Sequence, residues 1–240
     1  MQTQTVSPEP TGPKKPSILG MITDPGSQYS RIAQHPVIWK PLLILTLFAM
    51  LFTVGTGLVV GDAMDSGEGI PEGVDEAQFQ GIVKGFQIGI LIISGLLVVP
   101  LTTLFMSLIY WLFTMLFRGE ATYRQILSLN IHTYVIPIIG MGVQTLVYLT
   151  VGVGDPTGAT LPTSLAGLLQ MENGALKSAL NSIELFQIWQ MVLIAGGLAV
   201  VANLSKKQSW VIVITLFLIG MGLSALGGWV STSISNIPMQ

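Results

Sequence analysis

From Val83 to Phe117 the chain reads VKGFQIGILIISGLLVVPLTTLFMSLIYWLFTMLF, with no charged side chain between Lys84 and Arg118. A helix needs about 20 apolar residues to cross the hydrocarbon core of a bilayer. This run is too long for one perpendicular span and too short for two comfortable ones. Pro100 sits at its middle, where a hairpin could turn, so charge has to decide. A hairpin puts Arg118 and Arg124 on the same side as the acidic segment from Asp62 to Glu76; a single span puts them opposite it, as the positive-inside bias requires. The run therefore reads as one long helix, bent near Pro100 because proline lacks the backbone donor and crowds the preceding turn. Tyr110, Trp111, Phe113 and Phe117 mark its inner end at headgroup level.

The rest of the chain has the same character. It is 50% hydrophobic and only 9% charged, with mean hydropathy +0.69, which fits a polytopic all-α membrane protein and not a soluble domain. There are no cysteines, so disulfides and thiolate metal sites are excluded. The first sixteen residues carry four prolines and no apolar core. They read as a disordered cytoplasmic tail, with no cleavable signal peptide, so the first span is expected to serve as its own signal. Residues 17–34 (SILGMITDPGSQYSRIAQ) read as an amphipathic segment on the membrane surface, with Leu19, Met21 and Ile22 as its apolar patch. An ordinary loop is the alternative, since Gly20 and Pro25 weaken a helix.

Five spans follow over about 37–60, 83–117, 131–151, 183–204 and 210–230, in a membrane domain of 35–230 with an external tail at 231–240. Two short helical turns are expected between the third and fourth spans, on Leu165, Leu168 and Leu169 and on Leu176 and Leu180, broken at Asn173-Gly174. Five crossings divide the charges sharply. The N-terminal side has eight basic and three acidic residues, net +5, and the other side has two basic and nine acidic, net −7. The N-terminus is thus expected in the cytoplasm and the C-terminus outside, in a multi-pass protein of the cell membrane.

No Asp, Glu, Lys, Arg or His lies deep in any expected span, which argues against a proton- or ion-coupled pump. No metalloprotease, serine-hydrolase or phosphate-loop motif is present. His35 and His132 are far apart in sequence, and no metal, cofactor or nucleic-acid partner is expected. The informative polar residues are Glu184, Gln187 and Gln190, on one face of the fourth span at i, i+3 and i+6, together with Gln144 on the third and Gln87 on the second. Two readings stay open. The amides hydrogen-bond between helices, as buried polar groups in lipid must, or they line a polar cavity open to the outside. Glu184, with Ser182 as N-cap, either stabilises the start of its helix through the macrodipole or holds a partner. Gly220, Ser224 and Gly228 recur every fourth residue on the fifth span and form a packing groove. It serves within one chain or between copies in a homo-oligomer; the short Lys206-Lys207 connector makes an antiparallel pairing with the fourth span the simpler assignment.

Three stretches together resemble the bacterial YIP (Ypt-interacting protein) family of membrane proteins. They are SILGMITDPGSQYSRIAQHPVIWKPLL, RGEATYRQILSLNIHTYVIPIIG (with Gly119, Arg124, Gln125, Leu127, Ser128, Leu129 and Pro137), and the segment holding Glu184, Phe186, Trp189, Leu193, Gly197 and Leu198. Glu184 departs from the pattern, where Asp is expected. The resemblance implies five membrane helices, a cytoplasmic N-terminus and no catalysis. It also implies membrane-protein partners: a bacterial branch is linked to an ABC-type exporter that protects against a secreted toxic peptide, and the chain is expected to assist such an exporter's assembly or activity. The eukaryotic role with Rab GTPases is not carried over, because the long cytoplasmic domain is missing. The alternative is a transporter or lipid-handling protein that uses the polar outer face.

Overall fold

The computed structural model describes residues 14–64, 75–153, 160–171 and 174–235. Most of the disordered-tail reading, the acidic residues Asp65, Glu68 and Glu72, and the end of the external tail lie outside them. Ten helices follow in order among the described residues: α1 (Gly20–Thr23), α2 (Pro25–Gln34), α3 (Trp39–Met64), α4 (Glu76–Leu116), α5 (Tyr123–Thr133), α6 (Val135–Thr150), α7 (Leu165–Leu168), α8 (Ala175–Asn181), α9 (Leu185–Val201) and α10 (Lys206–Ser235). Four stretches are long and apolar enough to cross a membrane: Trp39–Asp62, Glu76–Leu116, Tyr123–Thr150 and Lys206–Ser233. Leu185–Val201 is a shorter apolar helix.

The long run is one helix and not a hairpin. It passes unbroken through Pro100 and spans 41 residues, about 61 Å at 1.5 Å per residue. It starts seven residues earlier than its apolar content suggests. Asp75 caps it by accepting from the Gln78 N–H at 2.9 Å, and Glu76 stands in the first turn, where a carboxylate opposes the helix dipole favourably. Just after Pro100, Thr102 and Thr103 donate their hydroxyls back to the carbonyls of Val98 and Val99, so both hydroxyls are satisfied within the helix. At the far end of the α3–α4 pair an exposed ion pair joins Lys84 to Asp62 at 3.0 Å, a contact of little energetic weight.

The third span begins earlier than expected and is broken. The connector read at Arg118–Asn130 is helical from Tyr123. The cause is a capping box: Thr122 accepts from the Gln125 N–H, and the Gln125 side chain accepts from the Thr122 N–H at 2.8 Å. Tyr134 then separates α5 from α6. Pro137 has no N–H to give the Thr133 carbonyl, so the α-helical ladder cannot run through. The last helix continues to Ser235, so residues 231–235, read as tail, are helical.

The N-terminal segment does not lie on a surface with its patch intact. Met21 and Ile32 are fully buried in the protein core, Ile22 packs partly against it, and Leu19 is 72% exposed. The apolar patch is therefore split: Met21 faces protein and Leu19 faces outward. Tyr29 is buried too and lies against Gly196, where an added Cβ would come within 3.2 Å of its ring. Burial pushes the Tyr29 phenol up to about 12. Asp24 caps α2, and its hydrogen bonds to Ser27 hold its carboxyl below the usual range. The segment is tied down further along, where Gln125 donates to the Ala33 carbonyl at 2.6 Å and Ser128 to that of Val37 at 2.8 Å.

Candidate functional site

The polar residues singled out from the sequence do not converge on one cavity. Glu184 and Gln187 line a space of about 290 Å³ between α4, α9 and α10, together with Met106, Tyr110, Met191 and Met221. Gln144 lines a separate space of about 280 Å³ between α3, α4 and α6, with Thr53, Thr56 and Leu91. Gln87 lies beside that second space and donates to the Gly57 carbonyl at 3.2 Å. Gln190 lines neither. It is 6% exposed, one turn after Phe186, which packs on Gly140 of α6.

Glu184 is positioned by the loop that precedes α9. Ser164 and Glu184 form an isolated antiparallel bridge, and the Leu165 N–H donates to the Ile183 carbonyl at 2.9 Å. The Asn181 side-chain oxygen accepts from the Leu161 N–H at 2.9 Å, pinning the same loop from the other end. Glu184 is then held at both oxygens: Thr163 donates its hydroxyl to Oε1 and the Gln187 N–H donates to Oε2, each at 2.7 Å. Glu184 is thus itself the N-cap of α9. Ser182, expected in that role, instead closes α8 and donates to the Ser178 carbonyl. Glu184 is extended between α8 and α9, and the N-cap is the non-helical residue whose side chain accepts from an N–H in the first turn, so the cap falls on the carboxylate.

The second group is bound up in hydrogen bonds within α6 and from α6 to α3 and to the following loop. Thr145 donates to the Met141 carbonyl, leaving its oxygen to accept from Thr56 of α3 at 2.7 Å. Gln144 donates to the Tyr148 hydroxyl, which donates to the Thr160 carbonyl at 2.9 Å.

The groove on α10 also has a partner other than the expected one. Ser224 donates to the Ser178 carbonyl of α8 at 2.9 Å, and a Cβ on Gly228 would collide with Ser178. Gly220 meets open space. The small face of α10 thus seats α8 in its C-terminal half, while Ile212 and Val213 of its N-terminal half are buried in the core, and α10 also packs on α9.

A buried polar network at the α4–α5 contact escaped the sequence reading. Asn130 donates to the Thr103 carbonyl at 3.2 Å and to the Ser107 hydroxyl at 3.0 Å. Behind it His132 is 1% exposed, with Nδ1 2.7 Å from the Ser128 carbonyl. The signal was present in α4, where Thr103, Ser107, Tyr110 and Thr114 fall on one buried face at helical spacing. Among the described residues no group of three or more His, Cys, Asp or Glu could hold a metal ion.

Helices of this length and apolarity, with polar groups turned to one another inside, define a multi-pass integral membrane protein. The Yip1 domain family matches residues 19–227, and the chain belongs to that family. It is 33% identical over 237 residues to "Membrane protein YknW" of Bacillus subtilis (strain 168), covering 97% of this chain and 98% of that protein. No solved structure matches it.

Proposed function

We propose that the chain is a non-enzymatic, five-span protein of the cell membrane that binds membrane-protein partners and assists an ABC-type exporter in resistance to a secreted toxic peptide. The observation that carries the reading is kinship along almost the whole chain with the Yip1 domain family and with YknW; the exporter role follows from the resemblance to bacterial YIP proteins. The use of polar side chains supports it. Glu184 caps a helix, Gln144 bonds within α6, and Gln87 and Asn130 join helices, so these groups serve architecture before chemistry.

The fifth crossing rests on α9. It has 17 residues, about 26 Å, just under a hydrocarbon core of about 30 Å. Its end supports the crossing. The Glu120 N–H donates to the Ala202 carbonyl at 3.0 Å, and Asn203 donates to the Glu120 carboxylate at 3.2 Å. The α4–α5 and α9–α10 connectors therefore sit at one face, with the N-terminal segment against the same α5. That face gathers Arg31, Lys40, Arg118, Arg124, Lys206 and Lys207, which the positive-inside bias makes cytoplasmic. A bend of α4 at Pro100 belongs to the same reading.

Tagged protein solubilised in mild detergent is expected to co-purify with the subunits of an ABC exporter from the same cell, and to move no solute or lipid when reconstituted alone in liposomes. Flux by the protein alone, without any exporter subunit in the purified material, would support the transporter reading instead.

A further inference from the structure

We infer that the cavity between α4, α9 and α10 is a binding site for a single-chain amphiphile with a cationic amine head, entered from the lipid between α4 and α10. The ammonium sits at Glu184 and the chain lies on Met106, Met191, Phe217 and Met221. This site goes beyond the exporter role and does not depend on it.

Three observations meet there. Glu184 is 9% exposed, and its carboxyl group forms no ion pair with a Lys, Arg or His among the described residues. Its two neighbours are a hydroxyl and a backbone N–H; they orient the carboxylate without neutralising it. A buried, unpaired charge is costly, and a cation close by offsets that cost. Second, Tyr110 is 7% exposed and lines the same cavity, yet its hydroxyl has no hydrogen-bond partner among the described residues. The hydroxyl oxygen is not among the buried polar atoms that lack a partner, so it is reached from the cavity and free to meet a guest. Third, Asn181, Ser182 and Gln187 keep the polar lining at the Glu184 end, while Met106, Met191, Phe217 and Met221 give the rest an apolar, methionine-rich wall, a surface that adapts to flexible chains.

The opening and the size set the ligand class. α4 and α10 touch only sparsely, which leaves the cavity open along the seam between two helices long and apolar enough to cross a membrane. At about 290 Å³ it stands at the small end of ligand pockets, which run from about 300 to 1,000 Å³; one short chain fits where a two-chain lipid does not. No basic residue lines it, so the phosphate of a zwitterionic phospholipid would face Glu184 uncompensated. The site therefore selects an amine without an adjacent anion.

Native mass spectrometry of the full chain in maltoside detergent tests this, with decylamine, decanoate and phosphatidylethanolamine as probes. Decylamine is expected to bind one to one and decanoate not at all. Glu184→Gln, which keeps an oxygen for the Gln187 N–H, is expected to lower amine affinity at least tenfold. Gly220→Leu does the same with the carboxylate intact: Gly220 lines the cavity, and a Cβ there meets no atom within 4 Å, so the added side chain starts in open cavity space. If Glu184→Gln fails to fold, Gly220→Leu decides. Amine binding unchanged in Gly220→Leu, decanoate binding as well as decylamine, or phosphatidylethanolamine occupancy at or above that of the amine overturns the assignment.

Discussion

Gly95→Leu is expected to destabilise the protein by about 3 kcal/mol or more, at or beyond the top of the roughly 1–3 kcal/mol range typical of overpacking an interior. The reason lies in backbone and not in side chains. A Cβ built on Gly95 would lie 2.5 Å from Cα of Met50 and 3.3 Å from its nitrogen. Neither atom can swing away as a side-chain terminus would, so α3 and α4 must separate. Helices in lipid gain no hydrophobic driving force from meeting, and close approach over small residues is what holds them. Separation here loosens the α3–α4 pair from Gly57 and Leu91 to Lys84 and Asp62. Gly89→Leu is the control, on the same helix, where a Cβ meets nothing within 4 Å; it should shift stability by no more than about 0.5 kcal/mol. Thermal unfolding in detergent measures both, and equal effects would show that the α3–α4 approach is not close.

The second large effect is an all-or-none change in labelling. The chain has no cysteine, so each single substitution reports alone. With α9 crossing, Gly81→Cys and Ser233→Cys should react with an impermeant thiol reagent on intact cells, while Glu120→Cys and Lys207→Cys react only after the membrane is opened. All four positions are exposed. If α9 does not cross, positions 207 and 233 exchange sides and positions 81 and 120 keep theirs. The contact of Glu120 with Ala202 and Asn203 predicts that 120 and 207 behave alike.

The apolar runs were legible because twenty or more uncharged residues have few other uses. Val83 to Phe117 could be told from a hairpin by charge alone, without a turn in view. Boundaries were harder. Asp75 and Thr122 each cap a helix whose first residues are polar, and hydropathy does not see a cap. T-Y-R-Q at Thr122 was readable as a capping box, but it lay in a stretch whose Arg and Glu content suggested a connector. The N-terminal patch went astray for a different reason. Met21 and Leu19 are equally apolar, and only the tertiary packing of α1, which meets α2, decides which one faces protein. The polar residues are the clearest case. Composition marked Glu184, Gln187, Gln190, Gln144 and Gln87 as one set, whereas the structure divides them between two spaces and a packed interface. Residues on separate helices share a face in a helical wheel without sharing a cavity; crossing geometry decides, and a single chain's periodicity does not contain it.

The central claim is that the protein acts through an exporter and not by itself. Its most direct test is the amount of assembled ABC exporter, read on native gels of membranes from cells that lack this protein and from cells in which it is restored. The assembled complex is expected to fall several-fold without the protein, at unchanged subunit synthesis, and to return when the wild-type chain is supplied, with sensitivity to the toxic peptide rising and falling in step. Full assembly and unchanged resistance in its absence would contradict the claim.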